Sequence, residues 1–220
     1  MNDFDLHKIL KVLSKERPFF YSEADFKFAL ACKIKEEISP EKIIIEYPEI
    51  ICDKRIYIDI YFKKDNKEYY LELKYKTKEF IFNNEEMKYN LKDQKACDFG
   101  RYDFIKDIER LEKIKCGTQD KLGYVIFLSN DENYLQGTKK TNQDYSFNIE
   151  NNTTITRGEK SWSKEKILKN LGSRKNSLNI NNDYFVQWRD YSNFKNSEFN
   201  YLAIKIKETN IKWLMKIWLK

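Results

Sequence analysis

The chain has 220 residues, with 41 Lys and Arg against 35 Asp and Glu, a formal net charge of +6; 41% of residues are hydrophobic and 15% aromatic. That is enough apolar material for one sizeable core, and no uncharged apolar run approaches the ~20 residues that span a bilayer, so a single soluble domain without a membrane partner is expected. His7 is the one histidine, which excludes chemistry needing two imidazoles and argues against histidine-rich zinc sites; in a hydrolase, carboxylates and lysines would have to carry the reaction.

Cys32, Cys52, Cys97 and Cys116 stand far apart with no C-x-x-C pair, and read as reduced thiols rather than zinc or iron–sulfur ligands. The opening MNDFDLHKIL lacks the basic start and cleavage site of a signal peptide, so a cytoplasmic location is expected. The basic balance is compatible with a polyanionic partner.

In chain order, Ser22 and Asp25 form a capping box ahead of Phe26, Ala29, Leu30, Lys33, Ile34 and Ile38 at helical spacing, with Pro40 beyond. This predicts a helix over residues 22 to 38. Residues 42 to 51 read as a strand broken at Pro48. RIYIDIYF (55 to 62) and EYYLELKYK (68 to 76) alternate like two strands of a hairpin around a polar turn.

If Asp65 and Asn66 make a two-residue turn, the residue numbers of facing pairs sum to 131. One face then pairs Ile56 with Tyr75, Ile58 with Leu73, Ile60 with Leu71 and Phe62 with Tyr69. The other pairs Asp59 with Glu72, Tyr57 with Lys74 and Arg55 with Lys76. Two facing carboxylates repel unless a cation or a shared proton compensates, and a divalent metal is the simplest compensation.

Further along, Asn83 and Glu86 suggest a capped helix carrying Met87, Leu91 and Gln94 on one stripe. A second helix is predicted over 101 to 115, its Arg and Lys residues pairing with Asp103, Asp107 and Glu109, and then a buried central strand over 121 to 131. Loops over 131 to 154, a helix at SWSKEKILKNLG, strands at YFVQWRDYS and FNYLAIKIKE, and a basic amphipathic element at IKWLMKIWLK complete the chain. Trp162, Trp188, Tyr184 and Tyr191 are expected to be core or interface aromatics.

Asp59, thirteen intervening residues, Glu72, one residue and Lys74, on neighbouring strands behind a capped helix, resemble the PD-(D/E)XK nuclease superfamily. The similarity covers about residues 20 to 130, with Ile58 where the motif has its proline and Asp98, not tyrosine, four residues after Gln94. It implies an α/β fold with a restriction-endonuclease-like core, a mixed central sheet flanked by helices, and an α+β extension over 131 to 220 within one domain. It implies Asp59 and Glu72 as ligands of Mg2+ or Mn2+, Lys74 as the residue that activates or orients the attacking water, and catalytic contributions from Glu23 and Gln94. Lys76 and Arg55 extend the positive charge and would track a nucleic-acid backbone. For Glu23 a favourable helix-dipole interaction, for Gln94 a core hydrogen bond, and for Glu46 an ordinary exposed strand position are the alternative readings. The implied activity is metal-dependent endonucleolytic cleavage of DNA in defence, restriction or mobile-element biology, with a homodimer or a protein partner of a defence system possible. A nuclease acting on RNA or branched DNA, and a non-catalytic nucleic-acid-binding or interaction module, are the alternatives.

Overall fold

A computed structural model describes residues 4–83, 88–115, 120–163 and 172–208. The chain opens with a helix, α1 (Leu6–Glu16), that the sequence reading above does not assign. Leu6, Ile9, Leu10 and Leu13 are its buried stripe, and the Asp5 carboxylate caps it by accepting from Lys8 N at 3.1 Å. Helix α2 (Glu23–Ile38) lies where the capping box puts it: Ser22 Oγ accepts from Asp25 N, and the helix closes at Ser39, in the left-handed region, just before Pro40. Lys33, on the expected apolar stripe, is buried but paired with Glu16 and Glu36.

Strands β1 (Lys42–Ile51), β2 (Lys54–Lys64), β3 (Lys67–Lys76) and β6 (Lys121–Ser129) build a six-stranded sheet with β11 (Trp188–Phe194) and β12 (Ser197–Lys205), in the order β1-β2-β3-β6-β12-β11. Only β3 and β6 run parallel, so the sheet is mixed. Strand β1 is not broken at Pro48; it is an edge strand, where a residue without an N–H costs no ladder bond, and Pro48 stands opposite Tyr57. Asp65 and Asn66 both adopt positive φ, as a two-residue hairpin turn requires, and the pairs from Ile60–Leu71 to Lys64–Lys67 have the expected register.

Two cores sandwich the sheet. Helices α1 and α2 and the segment between them pack Leu10, Phe26, Leu30 and Phe20 on Ile60, Phe62, Leu71 and Leu73. On the other side, helix α3 (Cys97–Lys115) packs Phe104, Ile105, Ile108 and Leu111 with Tyr61, Tyr70, Val125 and Phe127. The α3 stripe is the expected one, although the helix begins four residues earlier than predicted. Residues 131 onward are less separate than an extension: β12 joins the main sheet beside β6. The predicted strand at 184 to 192 is divided into β10 (Tyr184–Phe185), paired with β7 (Thr154–Ile155), and β11, while β8 (Gly158–Lys160) pairs with β9 (Leu178–Ile180). Trp162, Trp188, Tyr184 and Tyr191 are buried, as expected. Of the predicted helix at 161 to 172, residues 164–171 lie outside the described residues, as does the element at 211 to 220. Among the described residues no helix is long and apolar enough to cross a membrane.

Candidate functional site

The hairpin register fails at one place, and that place is where the carboxylates meet. Beyond Ile60–Leu71, β2 stays with β1, pairing Ile58 with Tyr47 and Ile56 with Glu49, while β3 stays with β6. The strands fork. Alternation along β2 switches at Asp59, because Ile60 belongs to the α1–α2 core and Ile58 to the α3 core. The expected pairs Ile58–Leu73 and Ile56–Tyr75 are therefore absent. So are the cross-strand pairs Asp59–Glu72, Tyr57–Lys74 and Arg55–Lys76: Arg55 stands opposite Ile50 and Lys76 opposite Ser129.

The fork leaves two β3 N–H groups without β2 partners, and buried N–H groups must be satisfied. Side chains replace the missing strand: Asp59 Oδ2 accepts from Leu73 N at 2.8 Å, and Glu23 Oε2, from the first turn of α2, accepts from Tyr75 N at 2.9 Å. Two of the predicted acids thus sit side by side along the β3 backbone. Glu72 is 2% exposed and bonds Arg110 of α3 at 2.6 Å. Lys74 contacts the buried Asp107 of α3 at 2.5 Å and donates to Leu73 O at 3.1 Å. From α2, Lys27 bridges Asp59 (2.8 Å) and Glu46.

Five carboxylates (Glu23, Glu46, Asp59, Glu72, Asp107) are thus gathered with three cations (Lys27, Lys74, Arg110), an excess of two negative charges when all are ionised. Burial, and then the charge of Asp107, hold the Glu72 carboxyl well above the usual carboxylate range; Arg110 pulls the other way, and Asp59 adds to the rise. For Lys74, burial favours the neutral amine but is outweighed by Asp107, Glu23 and Glu72, so its pKa is raised and it is held as an ammonium ion.

Gln94 is a correction. Residues 80–83 and 88–91 form a hairpin of β4 (Phe80–Asn83) and β5 (Lys88–Leu91), and Gln94 follows it in exposed, irregular chain, its N–H donating to Thr77 O at 2.8 Å. The aromatic, β-favouring segment FIFN wins over the Asn83 capping signal because Phe80 and Tyr89 pack against Phe19 at 5.1 and 4.5 Å; Glu86 and Met87 lie outside the described residues.

Lys27, Asp107 and Arg110 escape the sequence reading as site residues. Asp107 and Arg110 do approach each other within α3 at 3.4 Å, and Lys113 pairs with Glu109. Yet Arg110 also reaches Glu72, Asp103 is taken by Arg174, and Arg101 goes to Asp144. The available signal for Lys27 was its spacing four residues after Glu23, on the same face of α2.

No family model matches the chain, and comparison with curated proteins and with solved structures found no match. Among the described residues no three His, Cys, Asp or Glu side chains form a group able to hold a metal ion by themselves. Asp59 and Glu72 carry hard oxygen donors, the type that Mg2+ and Mn2+ take, in a locally acidic environment in which Lys27 and Arg110 bond them.

Proposed function

We propose that the chain is a metal-dependent nuclease hydrolysing DNA phosphodiester bonds at the β2–β3 fork. The observation that carries this reading is the fork itself: a buried glutamate with raised proton affinity, an aspartate on the adjoining backbone, an ammonium beside them, and negative charge in excess. Asp59 and Glu72 would hold Mg2+ or Mn2+, which when bound supplies electrostatic stabilisation of the phosphate and a more acidic water. Lys74, kept charged and aimed by Asp107, serves as a hydrogen-bond donor to the attacking water or to a phosphate oxygen, rather than as a base. Glu23 fixes β3 through Tyr75 N and adds to the charge that keeps Lys74 protonated. Arg55, exposed on β2, and Lys76 contribute positive charge for the backbone on either side of the fork. Gln94 has no part in this reading.

The restriction-endonuclease-like core, a cytoplasmic setting in defence, restriction or mobile-element biology, and a homodimer or defence-system partner belong to the same proposal. RNA and branched DNA are its nearest alternative substrates. A second reading is favoured by the ion pairs: Arg110 on Glu72 and Lys27 on Asp59 already occupy both ligands, as expected of a closed network in a non-catalytic binding module. Incubation of plasmid, linear, single-stranded and branched DNA and of RNA with Mg2+ or Mn2+ separates them. The nuclease reading expects cleavage of DNA that falls about 100-fold or more in Lys74→Ala and in Asp59→Asn. Intact substrates throughout, or variants that cut as well as the wild type, overturn it.

A further inference from the structure

A groove of about 660 Å³ lies between α1 and the edge strand β11, on the α1–α2 side of the sheet. Its rim is basic. Lys8, Lys11 and Lys15 stand at i, i+3 and i+7 on the face of α1 opposite the buried Leu6, Ile9, Leu10 and Leu13, and Arg189 faces them from β11. None of these four cations forms an ion pair among the described residues, whereas Lys27, Lys33, Lys74 and Lys113 all do. Two acids line the groove: Asp5, which caps α1, and Asp190, exposed on β11. Buried Leu10, Tyr191 and Tyr201 line it beneath the charged rim, with His7 Nδ1 and Tyr201 Oη at 3.0 Å.

The groove is tied to the fork through ordered bonds. Tyr191, which lines it, donates from its hydroxyl to Arg17 O at 2.9 Å, and the Arg17 guanidinium holds Asp25 of α2 at 2.7 Å. The segment between the helices is pinned to β3 as Tyr75 Oη accepts from Phe20 N and donates to Phe20 O, and Tyr75 N donates to Glu23. The segment between α1 and α2, which borders the groove, is thus anchored to β3, the strand that carries Glu72 and Lys74.

We infer that this groove is the track for a nucleic-acid backbone, with Lys8, Lys11, Lys15 and Arg189 as its phosphate contacts. The identity of the partner rests on the nuclease reading; the location of the track does not follow from it. At a rise of about 1.5 Å per residue, Lys8 to Lys15 spans about 10 Å, the axial length of about three phosphates on one strand. Lysines suit this task because a flexible point charge needs no fixed phosphate geometry.

The test is binding of a fluorescently labelled DNA oligonucleotide in EDTA, where no cleavage intervenes, over a series of salt concentrations. The variants are Lys8→Gln/Lys11→Gln/Lys15→Gln and the corresponding triple Lys→Arg chain; all three sites are exposed, so neither variant disturbs the core. The track predicts a slope of log affinity on log salt that falls by about 2 to 3 in the Gln variant, roughly 0.7 to 0.9 per lost contact, and returns in the Arg variant. A Gln variant with the wild-type slope and affinity overturns the track and leaves the nuclease reading standing. A reduced slope in a protein that never cleaves DNA supports the track and overturns the nuclease reading. Wild-type binding to anionic lipid vesicles in place of DNA overturns the track.

Discussion

Glu72 is buried with its carboxylate on Arg110, and burial together with the charges of Asp107 and Asp59 outweighs the guanidinium. Its folded-state pKa therefore stands above the unfolded value of about 4.3, so ionised Glu72 costs the fold stability. That cost is absent below the unfolded pKa, grows as pH rises through the window up to the folded pKa, and is constant above it. Glu72→Gln, which keeps the shape and removes the charge, is expected to raise Tm of the metal-free protein at neutral pH and to change it little near pH about 4. Each kcal/mol relieved is read as roughly 2 to 4 °C in a chain of this size. A gain that is larger in acid than at neutral pH contradicts this account of the site. Glu72 and Lys74 were legible as site residues because strand alternation sets them on one face. Asp107 and Arg110 were not, because i,i+3 spacing on a helix explains such a pair without any third partner.

Among the elements, the β2–β3 fork is the one that makes the site, and the sequence concealed it. A hairpin with a regular turn and an unbroken alternation extrapolates to full pairing, and the pairs nearest the turn obey that extrapolation. What ends it is tertiary: β2 follows the edge strand β1 while β3 follows the parallel strand β6, and Ile58 and Ile60 enter different cores. Asp59 takes the place of a backbone acceptor, so its structural and electrostatic roles are separable. Asp59→Ala leaves Leu73 N–H unsatisfied and is expected to cost about 1 to 3 kcal/mol. Asp59→Asn retains an oxygen acceptor and is expected to cost less. Urea unfolding with unchanged m values measures both, and equal losses would show that the Leu73 bond does not support the fork. The capped helix at 23–38 and the body of the helix at 101–115 were readable from local signals, whereas the β4–β5 hairpin was not, because its aromatics are decided by contact with Phe19 and Phe194 far away in sequence.

In the whole molecule, the division between a core and a C-terminal extension dissolves at two places. Strand β12 pairs along β6, and the fully buried Glu112 of α3 accepts from Asn181 N, Asn182 N and Tyr184 Oη. Five donors in all converge on that one carboxylate, counting both asparagine amides, which compensates for burying its charge. The α/β class with a mixed sheet flanked by helices was what the resemblance implied, and the sheet has that character although one of the two helices expected between β3 and β6 is the β4–β5 hairpin. The position of β12 was not legible, since sequence pattern gives a strand its period and not its neighbour in the sheet.

Calorimetric titration of Mn2+ into the intact protein without substrate asks whether the fork holds a divalent ion at all. Saturable uptake at one site is expected in the wild type, with loss in both Asp59→Asn and Glu72→Gln while Lys76→Gln binds as before. No uptake by the wild type, or uptake unchanged in both acid variants, contradicts it.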